Sequence, residues 1–276
     1  MPLKKSFSLI IYIDGKFITG DGWSVDSLSP GVVKGRGVFE TMRFYQGRIF
    51  AYKEHWSRLE RGLKSLRIKN HCPKGKIKRI IRGVVKVNRL KAARLRLMIW
   101  EYKKKAHIVV IAQPFSDFKQ SFAVTVSGIR AKRTTYSHLK TLDYGRFYQA
   151  FQEAKHKGCD EAILLDRHKN VVEGSRSNIF YVSKGALHTP DIKSGCLNGI
   201  TREIVLQLAR KLGLQRVVSK KILVEDLIYG EEAFLTNSVW EIMPLTKVDE
   251  YKIGQGCAGP VTLKLLQAYR NMVKKS

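Results

Sequence analysis

Lys140 and Glu173 could do chemistry together. Lys140 stands just ahead of an amphipathic run, GRFYQAFQEAKHK, and Glu173 follows 33 residues later in VVEGSRSNIF. A lysine amine that is partly neutral is a nucleophile and forms a Schiff base with an aldehyde. Burial and neighbouring cations push it toward that state. The segment SHLKTLDY falls between an expected strand and an expected helix, where reactive side chains are often displayed. The pair reads either as two scaffold charges or as the two ends of a bound cofactor. Asn198-Gly199-Ile200-Thr201, at the head of an expected helix, is a second candidate. Backbone N–H groups and the helix dipole favour an anion there, and a threonine hydroxyl adds a donor. The same residues also make an ordinary helix cap. Thr236-Asn237-Ser238 is a similar polar cluster after a strand, and Arg58 lies among leucines, where by itself it reads as a solvated arginine.

The elements that must position these residues follow from periodicity. Residues 7–20 alternate and turn at Asp14-Gly15, which predicts a hairpin. The run 27–37 is Gly-rich and loop-like, and 38–52 predicts two strands around Gln46-Gly47. Trp56, Leu59, Leu63 and Leu66 recur at helical spacing, and a second helix is expected over about 75–89. Residues 94–102 and 107–114 predict a strand pair joined by a lysine-rich turn. After a strand at 122–129 come the helix beyond Lys140, three short strands, a strong helix after Asn198-Gly199, and a closing helix with Pro260 near its start. EAFLTNSVWEIMPL is expected to cross from a strand into a loop. The domain reading is 1–114 for a small N-terminal domain, 115–121 for a linker and 122–276 for a large domain.

With 276 residues, 44% of them hydrophobic, the chain can bury a sizeable core. No apolar run reaches the ~18–20 residues a spanning helix needs, and the N-terminus lacks a cleavage pattern, so a cytoplasmic protein is expected. Cys72, Cys159, Cys196 and Cys257 are far apart with no metal-ligand spacing, which predicts reduced thiols and no metal. The net charge of +28 invites a nucleic-acid reading. Its lysines and arginines are spread along the whole chain, however, and the densest cluster alternates with Ile77, Ile80, Ile81, Val84 and Val85 as a solvated helix face would. No nucleic-acid motif is present; the charge would instead steer anionic small molecules.

In combination and in this order, FETMR (39–43), EHWSRLERGLKSL (54–66), HLKTLDY (138–144), GCDEAILLD (158–166), VVEGSRSNIF (171–180), NGITRE (198–203) and LTNSVWEIMPL (235–245) resemble the class IV aminotransferases. These are pyridoxal 5'-phosphate enzymes that include D-amino-acid aminotransferases, branched-chain aminotransferases and aminodeoxychorismate lyases. The resemblance spans nearly the whole chain. It implies an α+β, two-domain fold, with a small N-terminal α/β domain and a larger, β-rich C-terminal domain with helices. It also implies a homodimer. Lys140 resembles the lysine that holds the cofactor aldehyde and carries the proton in catalysis. Glu173 is similar to the glutamate that pairs with the pyridine nitrogen. Arg58, in the H-x-x-R-L pattern from His55 to Leu59, resembles the phosphate-binding arginine, with Ile200, Thr201 and Ser238 as further phosphate ligands. Tyr144 is similar to the tyrosine that bonds the ring hydroxyl, although it follows the lysine by four residues where the branched-chain branch has five. Thr41 is expected to bring an extra hydroxyl to catalysis.

The resemblance leaves two reactions. Aminodeoxychorismate lyase, which releases p-aminobenzoate and pyruvate, is expected first; an amino-acid transaminase of the D-amino-acid or branched-chain type is the alternative. The strand RLRLMIWEY lacks the Tyr-x-Arg pair of branched-chain enzymes, HLKTLDY is similar to the H-K-T-L-N-Y form of the lyase-like branch, and FETMR and LTNSVWEI suit that branch.

Overall fold

A computed structural model describes residues 9–20, 36–69, 72–115 and 119–276. The chain forms two compact units, Met1–Ser116 with Leu139–Tyr144, and Asp117–His138 with Gly145–Ser276. Most of the Gly-rich run at 27–37 and part of the expected linker lie outside the described residues.

The first unit is a six-stranded antiparallel sheet of β1 (Leu9–Ile13), β2 (Lys16–Gly20), β3 (Arg36–Tyr45), β4 (Arg48–Ile49), β5 (Ala92–Tyr102) and β6 (Lys105–Pro114), in the order β2-β1-β6-β5-β3-β4. Its hairpins turn where the sequence allows positive φ: Asp14 and Gly15, Gln46 and Gly47, and the two lysines Lys103 and Lys104. Helices α1 (Tyr52–Ser65) and α2 (Lys74–Val87) place Trp56, Leu59, Leu63, Ile77, Ile81 and Val84 against Val38, Met42, Phe44, Leu95 and Leu97. Because strand side chains alternate, Phe39 and Met98 point to the other face, where they pack with Ile11, Val109, Ile111 and Leu142. The segment carrying Lys140 runs along β3. Phe39 N donates to Lys140 O at 2.9 Å, and Leu142 N donates to Gly37 O at 2.9 Å. Gly37 makes this approach possible, since a Cβ there would stand 2.5 Å from Leu142 Cδ1 and 2.5 Å from Trp100 Cβ.

The second unit is built on a nine-stranded mixed sheet. Its strands are β7 (Phe122–Arg130), β8 (Glu161–Leu165), β9 (Val171–Gly174), β10 (Asn178–Ser183), β11 (Ala186–Pro190), β12 (Arg216–Ser219), β13 (Glu232–Asn237), β14 (Glu241–Val248) and β15 (Tyr251–Lys252). The order is β12-β11-β10-β13-β14-β7-β8-β9, with β15 on β14. Its helices are α3 (Gly145–His156), α4 (Ile200–Lys211), α5 (Val224–Ile228) and α6 (Pro260–Lys275). Residues 241–248 correct the expectation of a loop after β13. Pro244 argues against a strand from sequence, yet it pairs in register with Phe234, and Ile242, Met243 and Leu245 are buried. Burial of the row outweighs the one donor that proline removes. No helix among the described residues is long and apolar enough to cross a membrane.

Candidate active site

In the first unit, Lys140 is half-buried beside an aromatic corner. Its Nζ lies 4.5 Å from the Phe39 ring centroid and 5.7 Å from that of Tyr144. The two rings meet edge to face at 5.4 Å. Tyr144 thus stays next to Lys140 despite the short spacing. The Arg96 guanidinium is buried and lies 4.3 Å from the same Phe39 ring. Thr41 is the register partner of Arg96 and shares the Phe39 face of β3. Arg96 carries no signal of its own in the sequence. The tyrosine of a Tyr-x-Arg pair is absent from RLRLMIWEY, but Arg94-Leu95-Arg96 puts an arginine in the second place.

On the helix-covered face, Arg58 is held by an acid. Arg58 Nε donates to Glu40 Oε1 at 2.8 Å and its Nη2 donates to Oε2 at 2.7 Å. His55 Nδ1 lies 2.7 Å from Glu40 Oε2. Burial alone would raise the Glu40 pKa; the Arg58 charge and hydrogen bonds, helped by His55, reverse that and lower it to about 2. Burial lowers the pKa of His55; Glu40 opposes this, while Arg58 and Lys140 add to it. A neutral imidazole beside an ionised carboxylate must carry its proton on Nδ1, so Nδ1–H donates to Glu40.

In the second unit, Glu173 is buried on β9, and its Oε2 accepts from Leu197 N at 3.0 Å. Leu197 O accepts from Asn178 Nδ2 at 2.8 Å, which ties the loop before α4 to β10. That loop passes so close that a Cβ on Gly199 would stand 2.0 Å from Asn178 Oδ1. Ile200 and Thr201 open α4, whose cap residue Gly199 offers no side-chain hydrogen bond. Thr201 Oγ1 is buried and makes no hydrogen bond among the described residues; nor does Thr236 Oγ1 on β13, the register partner of Asn178. Ser238 lies in the turn after β13, where Asn237 Oδ1 accepts from Val239 N and Trp240 N. Cys196, next to Leu197, has its thiol pushed up to about 12 by burial and then by the Glu173 charge. The structure therefore gathers Lys140, Tyr144, Thr41 and Arg58 in or beside β3 of one unit, and Glu173, Ile200, Thr201 and Ser238 around β9, β13 and α4 of the other. Asn178 is hard to find from sequence; its only signal is its place five residues after Glu173 in a strand-forming run.

Residues 37–248 match the family model described as amino-transferase class IV. The chain is 32% identical over 279 residues to a putative branched-chain-amino-acid aminotransferase of Methanocaldococcus jannaschii, covering 96% of each. It is 31% identical over 280 residues to aminodeoxychorismate lyase of Bacillus subtilis, covering 96% of this chain and 95% of the other. Among solved structures, the T.th. branched-chain amino acid aminotransferase complexed with N-(5'-phosphopyridoxyl)-L-glutamate superposes with a TM-score of 0.85 at 28% identity, covering 98% of this chain and 95% of that one. The chain belongs to the class IV aminotransferase family, and it has the fold expected of it, an N-terminal antiparallel sheet and a C-terminal mixed sheet with helices. It is a pyridoxal-phosphate-dependent enzyme. The residues present fit that group. A helix start with a buried threonine hydroxyl that has no partner among the described residues suits a phosphate, and a buried carboxylate suits a protonated pyridine nitrogen.

Proposed function

We propose that this enzyme is an amino-acid transaminase of the branched-chain type, moving an amino group to 2-oxoglutarate. The observation that carries the reading is Arg96, buried against the same Phe39 ring that borders Lys140. An arginine there can bind a substrate carboxylate through two N–H groups and hold Cα within reach of an amine. The relatives lean the same way, since two of the three described above are named branched-chain aminotransferases. When bound, the cofactor supplies an aldehyde that condenses with amines and a pyridine that accepts electrons from the adjacent carbon. Lys140 Nζ would hold that aldehyde and, once substrate displaces it, would move the proton from the substrate Cα to the carbon that bore the aldehyde. Glu173 keeps the pyridine nitrogen protonated. Arg58, the Ile200 and Thr201 N–H groups, the Thr201 hydroxyl and Ser238 bind the phosphate. Tyr144 bonds the ring hydroxyl, and Thr41 adds a hydroxyl at the substrate. A homodimer is part of this reading, and light scattering in solution tests it.

Aminodeoxychorismate lyase, expected first from the sequence, keeps support from the Bacillus subtilis relative and from HLKTLDY. Purified enzyme supplied with L-leucine, L-glutamate or D-alanine and a keto acid should transfer amino groups from the L-amino acids. Release of p-aminobenzoate and pyruvate from aminodeoxychorismate, with no transamination, would reverse the assignment to the lyase.

A further inference from the structure

Glu40 occupies a place where alternation predicts an apolar side chain. Its neighbours on that face of β3 are Val38, Met42 and Phe44, all buried. Glu40 is 1% exposed. A lone carboxylate in such a core is costly, and the sequence could have placed a leucine there. The acid is instead fully engaged. Both its oxygens accept from Arg58, and Oε2 also accepts from His55. Arg58 gives Glu40 its Nε–H and one Nη2–H, the side edge of the guanidinium. The plane of the group is then set, and the edge bearing Nη1 faces away from Glu40. His55 in turn fixes the carboxylate from one side, one helical turn before Arg58 on α1.

We propose that Glu40 is a positioning residue for cofactor binding. It fixes the plane of the Arg58 guanidinium that the phosphate would meet, and His55 locks Glu40 in that pose. The proposal rests on the reading of Arg58 as a phosphate ligand. A fork held by a buried acid cannot swing among rotamers, so binding loses less side-chain freedom.

The test compares pyridoxal 5'-phosphate with pyridoxal, which lacks the phosphate, as ligands of the apoenzyme. Affinity is read from absorbance of the lysine-bound aldehyde, and folding from thermal melts. The variants are Glu40→Gln, Glu40→Asp and Arg58→Ala, with Glu40→Gln combined with Arg58→Ala. Glu40→Gln should weaken pyridoxal 5'-phosphate by roughly tenfold or more while leaving pyridoxal within about twofold. The double variant should bind no more weakly than Arg58→Ala alone, because the two residues act through one contact. Glu40→Asp keeps the charge in the core but withdraws it by one carbon, so it should fold and still lose phosphate-dependent affinity. Unchanged phosphate affinity in Glu40→Asp, or equal weakening of both ligands in either Glu40 variant, overturns the proposal and leaves Glu40 a structural residue. If Arg58→Ala binds pyridoxal 5'-phosphate as wild type does, the reading of Arg58 fails and this proposal falls with it.

Discussion

Two helices of the second unit begin alike and end up in opposite states. Helix α6 starts at Gly259-Pro260-Val261-Thr262, and α4 at Gly199-Ile200-Thr201-Arg202. Both cap residues are glycines pressed against another side chain. A Cβ would meet Glu232 Cδ at 2.1 Å in one case and Asn178 Oδ1 at 2.0 Å in the other. At α6, Glu232 answers the helix: its carboxylate accepts from Val261 N at 2.9 Å and from Thr262 N and Oγ1 at 2.7 Å each. At α4 the neighbour is a neutral amide, the cap makes no side-chain hydrogen bond, and Thr201 Oγ1 is buried without a partner among the described residues. An exposed N–H turn seeks negative charge. At one start a carboxylate from β13 answers the N–H groups and the threonine hydroxyl; at the other, Thr201 Oγ1 meets no such acceptor among the described residues, which suits a phosphate from outside. The start of α6 is satisfied by the chain itself, and in the proposed reading the start of α4 is satisfied by the cofactor phosphate.

The contrast can be broken by substitution. Glu232→Ala leaves two N–H groups and a hydroxyl unsatisfied inside the unit, so it should cost about 3 kcal/mol in urea denaturation. A loss near zero would mean that α6 does not depend on its acid. The first unit offers a second answered charge, Glu40. Its folded pKa of about 2 lies below the ordinary glutamate value of 4.5. The stability this shift contributes is present above the unfolded value and is lost as pH falls through the folded one. Between about pH 5 and pH 2 the protein should lose roughly 2–3 kcal/mol from this group. Glu40→Gln should flatten that part of the stability profile, and an unaltered slope would count against the ionised network. Gly199→Ala should cost about 1–3 kcal/mol by driving Asn178 away, with a matching fall in cofactor affinity; isothermal titration separates the two. The smallest effect sharpens the comparison most. Thr201→Val removes a hydroxyl that has no partner among the described residues, so the apoenzyme should be unchanged or stabilised by up to about 1 kcal/mol, while pyridoxal 5'-phosphate binds several-fold more weakly. Thr262→Val, at the answered start, should destabilise the apoprotein instead.

Much of this was legible in the chain. Asp14-Gly15 and Gln46-Gly47 marked their hairpins because few residues accept positive φ. The leucines around Arg58 marked α1 because one face of a helix repeats every three to four residues. Lys140, Glu173 and the Asn198–Thr201 run stood out as chemistry on expected element ends. Glu40 did not, since a glutamate in FETMR reads as an exposed strand residue until its face is known. Pro244 hid a strand for the converse reason: a local rule spoke against it and only the buried row around it spoke for it. Arg96 was masked by the missing tyrosine two residues earlier, because half of a recognition pair carries little signal until its surroundings are known.

By itself the sequence determined the periodic elements, their turns and the residue types able to hold an aldehyde, a pyridine nitrogen and a phosphate. Those depend on local geometry and on chemistry carried within each residue. The tertiary structure alone decided which polar groups are answered. Glu40 meets Arg58 across a strand and a helix. Glu232 accepts from Thr262 N on α6, 30 residues further along the chain. Thr201 Oγ1 meets no partner among the described residues. Whether a buried donor is satisfied depends on which distant atoms arrive beside it, and that is settled only when the whole chain has packed.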